Sequence, residues 1–273
     1  VLRQHPEPGA SVKSRKSFCM PSLREALCLK GGALMGLVYG SARLSADIDF
    51  SITDRRRPDK SVEQDYREIL DPALRHAATE CGYTDTVLRV QGVKGHPENR
   101  FPDAEFPGVK IKIGYAVAGS RQHERLLEGR ASAVIELDIS FNEAIGEIQV
   151  LRISEKNTLL AYSLIDMIAE KYRALLQQKD RNRYRRQDIY DLDILIRDPD
   201  LDNAARKQVL ETLMRKCESR IPAPDSGAMD DPEIRQRAQA DWNTLEIEVR
   251  DLPGFGECFE RVRAFYGKLP WGG

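Results

Sequence analysis

Apolar positions along the chain recur with two periods, and the period changes part-way through. Val109-Lys110-Ile111-Lys112-Ile113 and Val134-Ile135-Glu136-Leu137-Asp138-Ile139-Ser140 alternate apolar and polar residues one for one, the pattern of half-buried strands. Asp47-Ile48-Asp49-Phe50 opens another strand, with Ile48 and Phe50 directed into a core and both aspartates to the opposite face. Between them, Tyr66, Ile69, Leu70, Leu74 and Ala77 fall near helical spacing over residues 62–81, and Gly82 is a natural stop. From Leu159 onward the pattern turns helical. Over residues 163–178, Ile165, Ile168, Ala169, Tyr172, Leu175 and Leu176 form one apolar stripe with Lys171 at its edge. Asp188 and Asp191 share the next helical face, while Ile189, Leu192, Leu195 and Ile196 bury the other. A Pro-, Gly- and Asp-rich loop over 221–232 precedes two closing helices, expected over 232–250 and 256–266.

Composition narrows the possibilities without choosing among them. The 273 residues, 41% apolar, suffice for one large domain or two modest ones. Forty-two basic residues balance 43 acidic ones for a net charge of −1, so a nucleic-acid surface would have to be local. Five cysteines form no Cys-x-x-Cys pair and share no ligand spacing with the four histidines, which argues against a zinc site or a disulfide framework. No run of apolar residues reaches membrane-spanning length, and the first residues lack the apolar core of a secretion signal, so a reduced, cytoplasmic setting is expected with no membrane partner. Residues 1–17 read as a polar lead-in of low order.

The chemistry concentrates in the run LKGGALMGLVYGSARLSADIDFSI, from Leu29 to Ile52. Gly31 and Gly32 precede an apolar, helix-like stretch, where backbone without a Cβ can approach a phosphate closely and present N–H donors at a helix start. Asp47 and Asp49 lie two apart on a strand and project together, half of an oxygen cage for magnesium, with manganese as its substitute. The combination describes a site for a nucleoside triphosphate (NTP). Asp138 lies on the polar face of a second strand; beside the first strand it completes the cage and can take a proton from an attacking hydroxyl. The same pattern also fits an ordinary solvent-facing antiparallel strand. Residues 179–186 carry five basic side chains around Tyr184, a patch suited to polyphosphate or RNA backbone through Arg181, Arg183, Arg185 and Arg186, with Tyr184 free to stack on a base. A solvated loop between two helices fits that charge equally well. Asp188, near Arg185 and Lys171, reads as an orienting partner for a cation.

Taken in order, LKGGALM, YGSARLSADIDFSI, IAEKYRALLQQ and RRQDIYDLDIL resemble the AbiEii/AbiGii toxin family of nucleotidyltransferases over Leu29 to Leu195. The resemblance implies an α+β fold, with a polymerase-β-like core of mixed sheet and flanking helices over 1–155 and a helical C-terminal domain over 156–273. It implies catalytic roles for Asp47, Asp49, Lys171 and Asp188, with Lys171 gripping the triphosphate, and the strand pattern adds Asp138 to them. With the residue reading added, metal ligation is expected at Asp47, Asp49 and Asp138, and nucleotide binding at Gly31, Gly32, Ser41, Ser45, Lys171 and Arg185. The implied activity is magnesium-dependent transfer of a nucleotide from an NTP to RNA, such as the 3′ end of tRNA. The setting is a toxin–antitoxin or phage-defence system with a cognate antitoxin protein. Transfer to a small molecule or a protein hydroxyl, and nucleotide or RNA binding without catalysis, are the alternatives. Where many relatives have Thr or Ser after the glycine pair this chain has Ala33, which leaves Ser41 and Ser45 as the hydroxyls near enough to compensate.

Overall fold

The computed structural model describes residues 23–43, 45–54, 58–59, 61–155, 157–218 and 220–272. The lead-in expected over 1–17 lies outside the described residues, as does most of the Arg/Pro-rich loop after Asp54.

A short helix α1 (Leu23–Ala26) leads into strand β1 (Leu27–Lys30), helix α2 (Gly31–Val38) and strand β2 (Asp47–Ile52). Helix α3 (Val62–Glu80), strands β3 (Thr86–His96) and β4 (Gly108–Val117), helix α4 (Arg121–Leu127) and strands β5 (Val134–Ser140), β6 (Ile148–Arg152) and β7 (Thr158–Tyr162) follow. Helices α5 (Leu164–Leu176), α6 (Arg186–Leu195), α7 (Asn203–Cys217), α8 (Pro232–Gln239) and α9 (Phe255–Gly267) complete the order. The strands form one sheet in the order β3-β4-β5-β2-β1-β7-β6. Two pairings, β1 with β7 and β2 with β5, are parallel and the rest antiparallel. This is the mixed-sheet α+β architecture expected.

Alternation decides which face of the sheet is dry. Val109, Ile111, Ile113 and Ile139 are all buried, and with Val90, Val93, Ile52 and Tyr66 they make a core between the sheet and α3. A second, larger core gathers the apolar stripe of α5 with Ile189, Leu192 and Leu195 of α6, Val209 and Leu213 of α7, and Phe259, Val262 and Tyr266 of α9. Cys28, Leu29, Ala161 and Tyr162 of the sheet belong to that same cluster, so the helices are anchored on β1 and β7. Helix α5 starts where Ser163 caps it, its hydroxyl accepting from the Asp166 backbone N–H at 3.2 Å.

The structure differs from the pattern reading in three places. Residues 159–162, read as the start of the helical region, form strand β7. A four-residue apolar run carries no period of its own, and here β1 and β6 supply the partners that settle it. The sheet therefore continues past residue 155, and the boundary expected there falls between two paired strands. The helix expected over 232–250 ends at Gln239, because Asp241 takes a left-handed conformation (φ 58°) and Trp242 turns back to donate to the Pro253 carbonyl at 3.1 Å. Strands β3 and β6 and helices α4 and α7 carried no pattern strong enough to be read beforehand.

Candidate functional site

The glycine turn is built around one strained backbone position. Gly31 has φ +68°, and a Cβ there would stand 2.1 Å from Asp49 Oδ2, so only glycine lets the carboxylate lie against the chain. At Gly32 a Cβ would meet Ser45 Oγ at 2.6 Å and Arg43 Nη2 at 2.8 Å. Strand β1 sets this up, since Lys30 pairs with Asp49 across the antiparallel ladder and the chain turns into α2 at the next residue. Ser45 Oγ donates to the Asp47 carbonyl at 2.9 Å, fixing the entry to β2. Ser41 is placed differently: buried beside Gly36, its hydroxyl accepts from the Arg43 backbone N–H at 3.3 Å, so it shapes the loop rather than lining the glycine turn. Ala33 is half-buried and packs against the larger core.

The third carboxylate arrives by register. Strands β2 and β5 are parallel, with Asp49 opposite Asp138 and Asp47 opposite Glu136. On its other edge β5 runs antiparallel to β4, with Lys110 opposite Asp138 and Lys112 opposite Glu136, so the ordinary antiparallel pattern is present beside the parallel one. Asp138 is flanked by His96 Nε2 at 3.3 Å from Oδ1 and by Lys110 Nζ at 3.9 Å from Oδ2. Asp49 holds its proton more tightly than an ordinary aspartate. Burial is the main cause; Asp138 and Asp47 add like-charge repulsion, and Lys30 and Lys171 offset part of it.

Lys171 closes the group from the helical side. Its position at the edge of the α5 stripe suggests an ammonium extended into a cleft; that ammonium is buried and donates to Asp191 Oδ2 at 2.6 Å and Asp188 Oδ1 at 3.1 Å. Burial alone would lower its pKa, yet the two aspartates more than compensate and hold it above the usual lysine value. Asp188 also faces Arg185 Nη1 at 3.7 Å, and Asp191 accepts from Arg43. The glycine turn, three carboxylates on paired strands and a lysine carried in by a helix are thus brought to one end of one sheet face. Residues 16–261 match the family model described as nucleotidyl transferase AbiEii toxin, type IV toxin–antitoxin system.

The chain belongs to the AbiEii nucleotidyltransferase toxin family. It is accordingly a nucleotidyltransferase of the toxin–antitoxin class. A crystal structure of a candidate nucleotidyltransferase from H. pylori is similar over 89% of this chain and 86% of that one, at 14% identity and a TM-score of 0.47. No curated protein matches this chain.

Sequence reasoning missed a buried ionic web that abuts the AbiEii-type site. Lys30 Nζ donates to Glu143 and, at 3.0 Å, to Ser140 Oγ. Glu143 also accepts from Ser51 Oγ at 2.7 Å and Tyr162 OH at 3.2 Å, and Arg220 approaches it at 3.4 Å. Burial opposes ionisation of Glu143, but Lys30, Arg220 and Arg173 together push its pKa well below the usual carboxylate range. Lys216 pairs with Asp166 at 3.0 Å a little further along. The one local signal for this web was a lysine ending the apolar run Leu27-Cys28-Leu29; its partner lies 113 residues away.

The basic patch gathers more arginine than its own segment holds. Arg181 is pushed below the usual arginine value by burial and then by Arg220, Arg173, Arg185 and Arg183 around it. Tyr184 is 54% exposed, so its ring is open to stacking. Lys179, by contrast, is neutralised by Asp231 at 2.6 Å and Glu233 at 3.4 Å. Arg186 opens α6 and Arg185 precedes it.

Asp47, Asp49 and Asp138 are all hard oxygen donors, and the repulsion raising the Asp49 pKa is what a bound cation would relieve; the donor set fits a divalent metal. Among the described residues, no three acidic, His or Cys side chains close into a ready-made cage. Magnesium sites of this kind draw several ligands from water and substrate phosphate.

Proposed function

We propose that this chain transfers a nucleotide from an NTP to the 3′-terminal hydroxyl of an RNA, tRNA being the acceptor that the family resemblance points to. It would act as the toxin of a toxin–antitoxin or phage-defence pair. The observation that carries the reading is the in-register placement of Asp49 and Asp138 on parallel strands against the Gly31 turn. Backbone N–H groups of Gly31 and Gly32 would cradle the triphosphate, with Ser45 beside them. Magnesium, or manganese in its place, would be held by Asp47, Asp49 and Asp138 and would neutralise the phosphates and the departing pyrophosphate. Asp138 accepts the proton of the acceptor hydroxyl, whose oxygen bonds to the α-phosphorus as the α–β bridging bond breaks. Lys171, held by Asp188 and Asp191, and Arg185 offset the charge that accumulates on the phosphate oxygens.

The exposed Tyr184 and the arginines around it support RNA as the acceptor, through stacking and backbone contacts. A cytoplasmic setting agrees with the four free cysteines among the described residues, of which Cys28 and Cys258 are pushed up to about 12 by burial and so are poor nucleophiles. No helix among the described residues is long and apolar enough to cross a membrane.

The test is incubation with total tRNA, magnesium and each α-labelled NTP in turn, beside an Asp49→Asn control. Label in tRNA with the unaltered chain alone is expected. Label in protein or in a small molecule, with none in RNA, would replace the acceptor, and no label anywhere would overturn the reading.

A further inference from the structure

The loop between α2 and β2 carries a cation whose geometry the roles above leave unused. Arg43 Nη2 donates to Asp191 Oδ2 at 3.1 Å, and Nε lies 3.4 Å from Oδ1. That same Oδ2 accepts from Lys171 at 2.6 Å, so one fully buried carboxylate holds an ammonium and a guanidinium side by side. The guanidinium overlies the glycine turn: Nη2 is 2.8 Å from the point where a Cβ on Gly32 would lie. A side chain at position 32 would push the arginine away, which gives the second glycine a purpose distinct from that of Gly31.

The outer edge of the fork is poorly occupied. Nη1 stands 3.8 Å from Glu248 Oε2, beyond hydrogen-bond distance, and that oxygen is itself buried with no hydrogen-bond partner. An arginine has five donors in a fixed plane, and two parallel ones match a phosphate as well as a carboxylate. Here one side of the plane is fixed by Asp191, and the other faces an acid too distant to satisfy it. Asp191 thereby sets the orientation of Arg43 while leaving donors to spare.

We propose that Arg43 is a second triphosphate-binding cation. Its Nη1 edge takes non-bridging oxygens of the outer phosphates, Asp191 positions it beside Lys171, and Glu248 is the weak competitor that the phosphate displaces. This inference rests on the proposal that the triphosphate lies over the glycine turn. Because the outer phosphates are the contact, Arg43 discriminates a triphosphate from a monophosphate of the same base.

Calorimetric titration with each of the four ribonucleoside triphosphates, and with the matching monophosphates, in magnesium buffer tests it. R43Q is expected to weaken triphosphate binding about ten- to a hundred-fold, as for loss of a charge-assisted hydrogen bond, while leaving monophosphate binding unchanged. R43K, which keeps the charge near Asp191 but loses the fork, should fall between R43Q and the unaltered chain. E248Q should tighten triphosphate binding. Triphosphate binding unchanged in R43Q, or triphosphate and monophosphate weakened by the same factor, would overturn the role of Arg43 while leaving the nucleotide site standing. No triphosphate binding by the unaltered chain would overturn the underlying site and this inference with it.

Discussion

The two ends of one polar sheet face use charge in opposite ways. At one end Asp47, Asp49 and Asp138 stand together, and repulsion among them adds to burial in raising the Asp49 pKa. At the other end Glu143 is buried more deeply still but is ringed by Lys30, Arg220 and Arg173, which lower its pKa. The ends meet at Lys30, which lies opposite Asp49 in the ladder and donates to Glu143. A carboxylate supplied with internal cations is a structural part. Asp49, whose neighbouring cations Lys30 and Lys171 offset only part of its burial and of the repulsion from Asp138 and Asp47, has more to gain from a cation brought from outside. Residue type alone does not distinguish the two environments; the surrounding charges do.

The largest effect should come from the compensated end. Glu143→Gln leaves Lys30 and Arg220 without a buried counter-charge and should destabilise the chain by about 3–5 kcal/mol, measured by urea unfolding. At the other end, Asp49→Asn should lower nucleotide transfer by roughly a hundred- to a thousand-fold, the scale for losing one electrostatic stabiliser of the transition state. Its unfolding midpoint should be unchanged or higher, because a repelling charge has been removed. A variant that loses stability in step with activity would erase the distinction between the ends.

Gly31→Ala probes the seam between them. The backbone there is left-handed and the new methyl group would displace the Asp49 carboxylate, so a cost of about 1–3 kcal/mol is expected, with activity falling further than stability explains. An alanine variant with full transfer activity would show that Asp49 need not lie against the turn.

The smallest effect is in the pH dependence of stability, and its sign differs between the ends. The folded Asp49 pKa lies above the ordinary aspartate value of 3.8. Its contribution is therefore fully present below that value and is lost as pH rises through the folded pKa. The folded Glu143 pKa lies below 4.5, so its contribution is present above that value and is lost as pH falls. Unfolding midpoints across acid pH should show Asp49→Asn gaining on the unaltered chain as pH rises above about 4, in keeping with ordinary carboxylate titration. Glu143→Gln should close its deficit as pH falls. Parallel curves for all three proteins would contradict the opposite charge environments.

Local pattern made the first end legible and left the second hidden. The alternation in β4 and β5 put Asp138 on a polar face, two-residue spacing aligned Asp47 with Asp49, and the glycine pair marked a close approach. Each of those facts lies within a few residues of chain. The parallel register that sets Asp49 against Asp138 spans 89 residues, and nothing in either strand specifies its partner. Lys171 was found, but its burial between two aspartates depends on how α5 meets α6. His96 reaches Asp138 from a strand whose pattern was too weak to read, and Glu143 sits in a connection with no periodicity at all. The strand β7 was misread because four apolar residues fit either period until neighbours are known.

If Asp47, Asp49 and Asp138 receive a metal together with the nucleotide, metal uptake depends on both the nucleotide and Asp49. Manganese serves as the probe, titrated into the protein with a non-hydrolysable NTP analogue and followed by electron paramagnetic resonance, for the unaltered chain and for Asp49→Asn. With the analogue present, the unaltered chain is expected to take up more manganese than the analogue alone removes, and Asp49→Asn is expected to add nothing to the analogue's own uptake. Equal manganese uptake by both proteins would contradict that dependence.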